Sequence, residues 1–212
     1  MNIIRWSMAL LVLTVGGLAS DAQGSSSVSA PHPVTEADLQ SVLRDEWSRQ
    51  LFWVRNVVLD NAKNDLRSRE FAEKAVVANI RDMARTFAPF YGEAASGQLR
   101  TLLTQHYSEV KAYSQATVAK NKGQQDAAMA QLASNTEAIA TFFSKLNPHL
   151  SKDTVRALFA THVDHQVAQI TKFQQGDYAG EEETWPAMEH HVYVIADTLA
   201  TALVKQFPKK FK

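Results

Sequence analysis

Apolar residues recur with helical spacing through most of the chain, and the pattern itself repeats. They fall at i, i+3, i+4 and i+7 in six successive segments, which is the spacing of an amphipathic α-helix. The pattern recurs without gaps in three units, 39–94, 95–150 and 151–206. Leu43-Arg44, for example, aligns with Leu99-Arg100 and Val155-Arg156. Such self-similarity indicates a repeated supersecondary unit.

Each unit is predicted to be a helical hairpin. Turn-forming residues stand in the middle of the units, at Asn64-Asp65, Lys120-Asn121-Lys122-Gly123 and Gly176-Asp177. The units end at Pro89 with Gly92, at Pro148 and at Pro208. No segment shows the alternation of a strand. We therefore expect an all-α domain over 37–208, a bundle of six antiparallel helices in three tandem hairpins.

Six polar residues interrupt the apolar stripes at repeated positions. One position holds Gln50, His106 and His162, and the other holds Asn79, Asn135 and His191. Each unit thus contains one pair: Gln50 with Asn79, His106 with Asn135, and His162 with His191. The two residues of a pair are equidistant from the predicted turn of their unit. Residues equidistant from a hairpin turn lie level across the two helices, whose axes are about 8–10 Å apart. The sequence therefore predicts a layer of six polar side chains at one depth of the core.

Such a layer needs partners, because an unpaired amide or imidazole in a core costs about 1–3 kcal/mol. One interpretation is a hydrogen-bonded layer that fixes the register of the helices. The other is a transition-metal site, since neutral imidazole binds copper, zinc and iron. The candidate ligands are His106, His162, His191 and His165. The supporting groups would be Glu189, His190 and Asp197, with Gln50, Asn79 and Asn135 completing the layer.

Composition and motifs exclude several other classes of function. Lys plus Arg equals Asp plus Glu, at 22 each, so the broad basic surface of a nucleic-acid-binding protein is not expected. The chain has no cysteine, which excludes disulfides and thiolate metal sites. It lacks a Gly-x-Ser-x-Gly elbow, a Gly-rich phosphate loop and a His-Glu-x-x-His motif. No nucleophile, base and orienting group can be assembled, so an enzyme is disfavoured.

Two further features bear on the surface. The acidic run Glu181-Glu182-Glu183 is expected to be solvated near the start of the last helix. An aromatic set is concentrated in the first unit and is expected mainly to pack in the core. Its members are Trp47, Phe52, Trp53, Phe87, Phe90 and Tyr91. Because Phe52, Trp53 and Arg55 cannot all face one core, part of the set is available as a partner surface.

The first residues form a predicted export signal. Arg5 precedes an apolar stretch from Met8 to Ala19, which is too short to span a bilayer, and small residues suit cleavage after Ala22. Segment 1–22 is therefore expected to be a signal peptide. The Ser- and Pro-rich segment 23–36 is expected to be a flexible linker. These features predict a periplasmic or secreted protein with no membrane span in its mature form.

Several short motifs resemble those of an uncharacterised family of small bacterial helical-bundle proteins. They are Trp53-Val54-Arg55, Phe87-Ala88-Pro89-Phe90-Tyr91-Gly92, Leu102-Leu103-Thr104-Gln105-His106, Leu146-Asn147-Pro148, Ile195-Ala196-Asp197 and Gln206-Phe207-Pro208. The resemblance covers nearly the whole mature chain. It implies a helical bundle with histidines at 106, 162 and 191, and no established activity. The family often carries His where this chain has Gln50, which weakens a ligand role for the first unit.

The sequence leaves two functions open. The first is an exported helical-bundle protein that binds a transition metal, such as copper, zinc or iron, through core histidines. The alternative is an interaction, stress or inhibitor-type binding module that meets another envelope protein, with a purely structural polar layer.

Overall fold

The computed structural model describes residues 35–211, and every regular element there is helical. The helices are α1 (Glu36–Lys63), α2 (Leu66–Val118), α3 (Lys122–Leu146), α4 (Lys152–Gln175) and α5 (Tyr178–Gln206), followed by a 3₁₀ turn (Pro208–Lys210). No described helix combines the length and the apolar character that crossing a membrane requires. The predicted signal peptide and nearly all of the predicted linker lie outside the described residues.

The predicted number of six helices is wrong, because the described residues form five. Helix α2 runs through the break expected at Pro89 and Gly92, and Gly92 is the single residue of α2 with non-helical angles (φ 85°, ψ 168°). Glycine adopts a positive φ without the steric cost that a side chain would impose. One residue therefore replaces the loop that the sequence pattern predicted.

Helix α2 nevertheless folds back on itself at Gly92. Ser96 Oγ donates a hydrogen bond to the Ala84 carbonyl at 2.8 Å, and Lys111 Nζ lies 2.7 Å from Glu73 Oε1. Residues 12 and 38 positions apart could not meet along a straight helix, which rises about 1.5 Å per residue. Helix α2 thus consists of a first leg, 66–91, and a second leg, 93–118, which lie side by side.

The remaining turns form where turn residues were predicted. Asn64 and Gly176 end α1 and α4 in the left-handed conformation, with φ of 57° and 71°. Asp65, Asn121 and Asp177 then cap the next helices, each accepting a hydrogen bond from a backbone N–H three residues on. Thr35 and Asp38 form a capping box at the start of α1. Local side-chain chemistry thus defines most helix ends.

The helices close into a ring through two kinds of contact. Within each repeat the two helices pack together: α1 with the first leg, the second leg with α3, and α4 with α5. Between repeats, α1 packs on α5, the second leg on the first leg, and α4 on α3; we call these three contacts the seams. Equivalent residues fill the core, since Leu43, Leu99 and Val155 are all buried.

Candidate functional site

The polar residues of each repeat lie level with one another, as predicted. Asn79 Nδ2 donates to Gln50 Oε1 at 3.0 Å, and His106 Nδ1 lies 3.0 Å from Asn135 Oδ1. In the third repeat, the rings of His162 and His191 are near-parallel, with centroids 6.5 Å apart. All six residues thus share one layer of the bundle, which we call the polar layer.

Asn79, Asn135 and His191, which we call the outer members of the polar layer, are anchored in the same way in all three repeats. Each donates a hydrogen bond to a backbone carbonyl on the other helix of its own repeat. The bonds run from Asn79 Nδ2 to Glu46 O (2.9 Å), from Asn135 Nδ2 to Leu102 O (3.0 Å), and from His191 Nε2 to Leu158 O (2.8 Å). The three acceptors are themselves equivalent in the repeat. This contact therefore sets the register of the two helices of each repeat.

The hydrogen bonds of Asn135 determine the tautomer of His106. The Asn135 amide nitrogen donates to Leu102 O, so its oxygen must accept from His106 Nδ1–H. The proton therefore sits on Nδ1, and the buried Nε2 carries a free lone pair without a partner among the described residues. Burial lowers the pKa of His106 to about 4, against the smaller opposing effect of Asn135. His106 is therefore neutral at pH 7.

The neighbouring imidazoles are shifted in the same direction. Burial lowers the pKa of His162 well below its usual value, and nearby His106, His191 and His165 lower it further. The pKa of His165 is also lowered, mainly by burial and then by His191, although Asp164 opposes the shift. A neutral imidazole retains a lone pair and can accept a hydrogen bond or bind a metal ion.

The inner members of the polar layer surround a small cavity. Gln50, His106 and His162 line it together with Tyr107 and Gln166, and its volume is about 20 Å³. Gln166 Nε2 donates to His162 Nε2 at 3.1 Å, while His106 Nε2, Gln166 Oε1 and the Tyr107 hydroxyl have no partner in the described chain. The cavity has room for one species of the size of a water molecule.

Four imidazoles form a run through the core beside this cavity. Ring centroids are 5.8 Å apart for His106 and His162, 6.5 Å for His162 and His191, and 5.2 Å for His191 and His165. The edges of Trp47 and Phe159 pack against the run. Across residues 35–211, however, no three His, Asp or Glu side chains are arranged to hold a metal ion. The histidines lie together, but their nitrogen atoms do not converge as a ligand set.

The supporting groups predicted on α5 do not join this run. Both oxygens of Asp197 bind Arg44, Nε at 2.7 Å and a terminal nitrogen at 2.5 Å, so this carboxylate serves the α1–α5 seam. His190 is exposed, and half-buried Glu189 makes no hydrogen bond or ion pair in the described part of the chain. The partner of Asp197 lies on another helix, 153 residues away in the chain, and a ligand-supporting role for Asp197 stays a prediction.

One buried ion pair was not predicted. Glu181, expected to be solvated, is only 1% exposed. Its two carboxylate oxygens accept hydrogen bonds from Arg55, one from Nε at 2.7 Å and one from a terminal nitrogen at 2.6 Å. Gln169 Nε2 donates to the same carboxylate, and the guanidinium lies over the rings of Phe173 and Trp185, 5.3 and 5.1 Å from their centroids. The one available signal was a charged residue, Arg55, inside an apolar stripe.

The aromatic set divides between core and surface. Trp47 and Phe87 are buried, as expected, and Phe90 and Tyr91 pack against Phe207 near the end of the chain. Phe52 and Trp53 instead form a surface cluster with Phe71, which was not part of the predicted set; each ring meets the next edge-on, with centroids 4.9 and 5.8 Å apart. We call these three residues the aromatic patch.

Comparison with known proteins does not extend this description. No protein-family model matches the chain, and neither the curated proteins nor the solved structures give a match. The geometry of the chain itself must therefore support any functional proposal.

Proposed function

We propose that this chain is a binding module that acts through its surface, with the polar layer serving to hold the fold in register. The observation that carries the proposal is the aromatic patch. Phe52 and Phe71 are 48% and 66% exposed, although together with Trp53 they form a contiguous apolar surface. Exposed apolar clusters of this kind mark sites of protein interaction.

The repeat shows that this surface is particular to the first hairpin. The residues equivalent to Phe52 are Ser108 and Asp164, and those equivalent to Phe71 are Ala127 and Glu183. All four equivalents are exposed. The fold therefore does not require aromatic residues at these positions, and their presence in one hairpin favours a specific use.

Charge next to the patch indicates the chemistry of the partner. Arg67 lies one helical turn before Phe71, is exposed, and has no ion pair within the described residues. Aromatic and arginine side chains together are the typical centre of a protein interface. We infer that the partner is a protein segment with an apolar side chain beside a carboxylate, which would pair with Arg67.

The test is site-specific cross-linking in the producing cell. A photoreactive phenylalanine at position 71 is expected to cross-link one discrete protein, and the same probe at the equivalent position 127 is not. The variant Arg67→Glu should abolish the product at position 71. Cross-links to a second copy of this chain, or products that Arg67→Glu leaves unchanged, would contradict the proposed partner.

A transition metal remains a second candidate, favoured by one specific observation. His106 Nε2 and His165 Nδ1 are buried nitrogens without a partner in the described chain, and both belong to the run of four imidazoles. The two nitrogens lie at opposite ends of the run, so each could bind an ion only together with a neighbouring imidazole, His162 or His191. Protein purified without chelator would then contain stoichiometric copper, zinc or iron. Elemental analysis that finds none, with no change in melting temperature when each metal is added, would reject this candidate.

Either activity is proposed for an exported protein. The basis is the predicted signal segment 1–22, with cleavage after Ala22. Mass spectrometry of the protein from the culture medium and the periplasm would identify its first residue. A protein retained in the cytoplasm with an intact N-terminus would contradict the proposal.

A further inference from the structure

The three seams can be compared at one repeated position. Arg44, Arg100 and Arg156 are equivalent, and each lies on the first helix of its repeat. In the α1–α5 seam, Arg44 makes a two-pronged ion pair with Asp197. In the α3–α4 seam, Arg156 lies 3.7 Å from Glu137 and also pairs with Asp153. Two seams thus supply a carboxylate to this arginine from the neighbouring repeat.

The seam between the two legs of α2 supplies arginines instead. The residue equivalent to Asp197 is Arg85, and the residue equivalent to Glu137 is Arg81. Arg81 has only a 3.5 Å contact with Asp82, its neighbour in sequence. Within residues 35–211, neither Arg85 nor Arg100 has a carboxylate within ion-pair distance. The countercharge found at the other seams is therefore replaced by positive charge.

These arginines line one cleft between the legs, just before and after the reversal at Gly92. Its volume is about 410 Å³, and its walls are Arg81, Ala84, Arg85, Glu93, Ser96, Gly97 and Arg100. The buried Ser96 hydroxyl fixes the legs by donating to the Ala84 carbonyl. Three arginines and one glutamate leave the cleft with two excess positive charges. Small residues, Ala84 and Gly97, leave space between them.

We propose that this cleft binds a phosphate-type dianion, either inorganic phosphate or the phosphate group of a small monoester. Guanidinium groups donate hydrogen bonds in a planar fork that fits the oxygens of a phosphate, and a dianion would balance the excess charge of the cleft. The chain as a whole is neutral, so this is a local feature rather than part of a basic surface. The site is independent of the aromatic patch and of the polar layer.

The direct test is calorimetric titration of the purified protein with inorganic phosphate, and separately with glycerol phosphate, at constant ionic strength maintained with chloride. We expect saturable binding of one anion per chain. Arg85→Gln and Arg100→Gln should each weaken it at least tenfold. Arg156→Gln, at the equivalent position of another seam, should leave it unchanged. Absence of saturable binding, or the same loss in Arg156→Gln, would overturn the proposal.

A second variant keeps the test independent of folding. Arg85→Asp introduces an aspartate at the position equivalent to Asp197. This aspartate could pair with Arg100 as Asp197 pairs with Arg44. We expect this variant to melt at a higher temperature than the wild type in phosphate-free buffer, because an ion pair replaces like charges. Phosphate should raise the melting temperature of the wild type and not that of the variant. An equal rise in both proteins would show that phosphate acts elsewhere and would refute the site.

Discussion

In the interior of the bundle the three repeats make the same contact, whereas at the seams they make different ones. The outer polar residues, Asn79, Asn135 and His191, all donate to equivalent backbone carbonyls. The repeated seam arginines instead meet a carboxylate in two seams and other arginines in the third. A buried polar group must be satisfied, whereas an exposed charge is solvated and can change. The seams are therefore where the repeats could acquire separate roles.

The largest expected effect comes from the α1–α5 seam, where the carboxylate of one ion pair is buried. Arg55→Met removes the guanidinium that pairs with Glu181 and leaves the Glu181 carboxylate buried without its countercharge. This should lower the unfolding free energy by about 3–5 kcal/mol. Denaturant unfolding would measure the loss. The double variant Arg55→Met/Glu181→Leu should recover most of the stability. A double variant as unstable as the single one would show that packing, and not the unpaired charge, was responsible.

Acid should destabilise the polar layer next most strongly. The pKa of His106 is about 4 when folded and near 6.5 when unfolded, so the unfolded state binds a proton first as the pH falls. The contribution of neutral His106 to the unfolding free energy is fully present above pH 6.5. As the pH falls to 4, the unfolding free energy should decline by about 3 kcal/mol through this residue alone. Burial of His162 acts in the same direction.

Unfolding curves between pH 7.5 and pH 4.5 would measure this decline. His106→Gln should flatten it, and the amide is expected to fit because Gln50 occupies the equivalent position. The exposed His190 provides the control, since His190→Gln should leave the slope unchanged. A pH dependence that persists undiminished in His106→Gln would mean that other groups titrate.

Asn135→Ala should have an intermediate effect. It removes the hydrogen bond to Leu102 O and leaves His106 Nδ1–H buried without an acceptor, at a cost of about 1–3 kcal/mol. Ser134→Ala changes the exposed neighbouring residue and should be nearly neutral. Equal stability of the two variants in urea would argue that the interior contact is dispensable.

The smallest effect is expected at the exposed α1–α5 ion pair. Arg44→Gln should lower the unfolding free energy far less than Arg55→Met does, because Arg44 and Asp197 are both substantially exposed. High salt should narrow the difference from the wild type further. A loss as large as that of Arg55→Met would remove the distinction between buried and exposed contacts on which the comparison depends.

The polar layer was predictable because it follows from periodicity and from distance to a turn. His106 and Asn135, for example, are equidistant from the turn at Lys120-Asn121, and they are hydrogen bonded. Contacts between repeats were not predictable in this way. The burial of Glu181 depends on Arg55, 126 residues earlier, and the free charge of Arg100 depends on which helix forms its seam. Helix number failed because a single residue, Gly92, reverses the chain.

The α1–α5 seam also brings the two ends of the described chain together. Thr201 Oγ1 donates to Glu36 Oε1 at 3.1 Å, so the start of α1 lies beside the last turns of α5. The chain could therefore begin and end at another connection between helices without loss of the ring. A circular permutant that joins residue 211 to residue 35 through a short linker, and opens between Pro148 and His149, would retain every seam and every member of the polar layer.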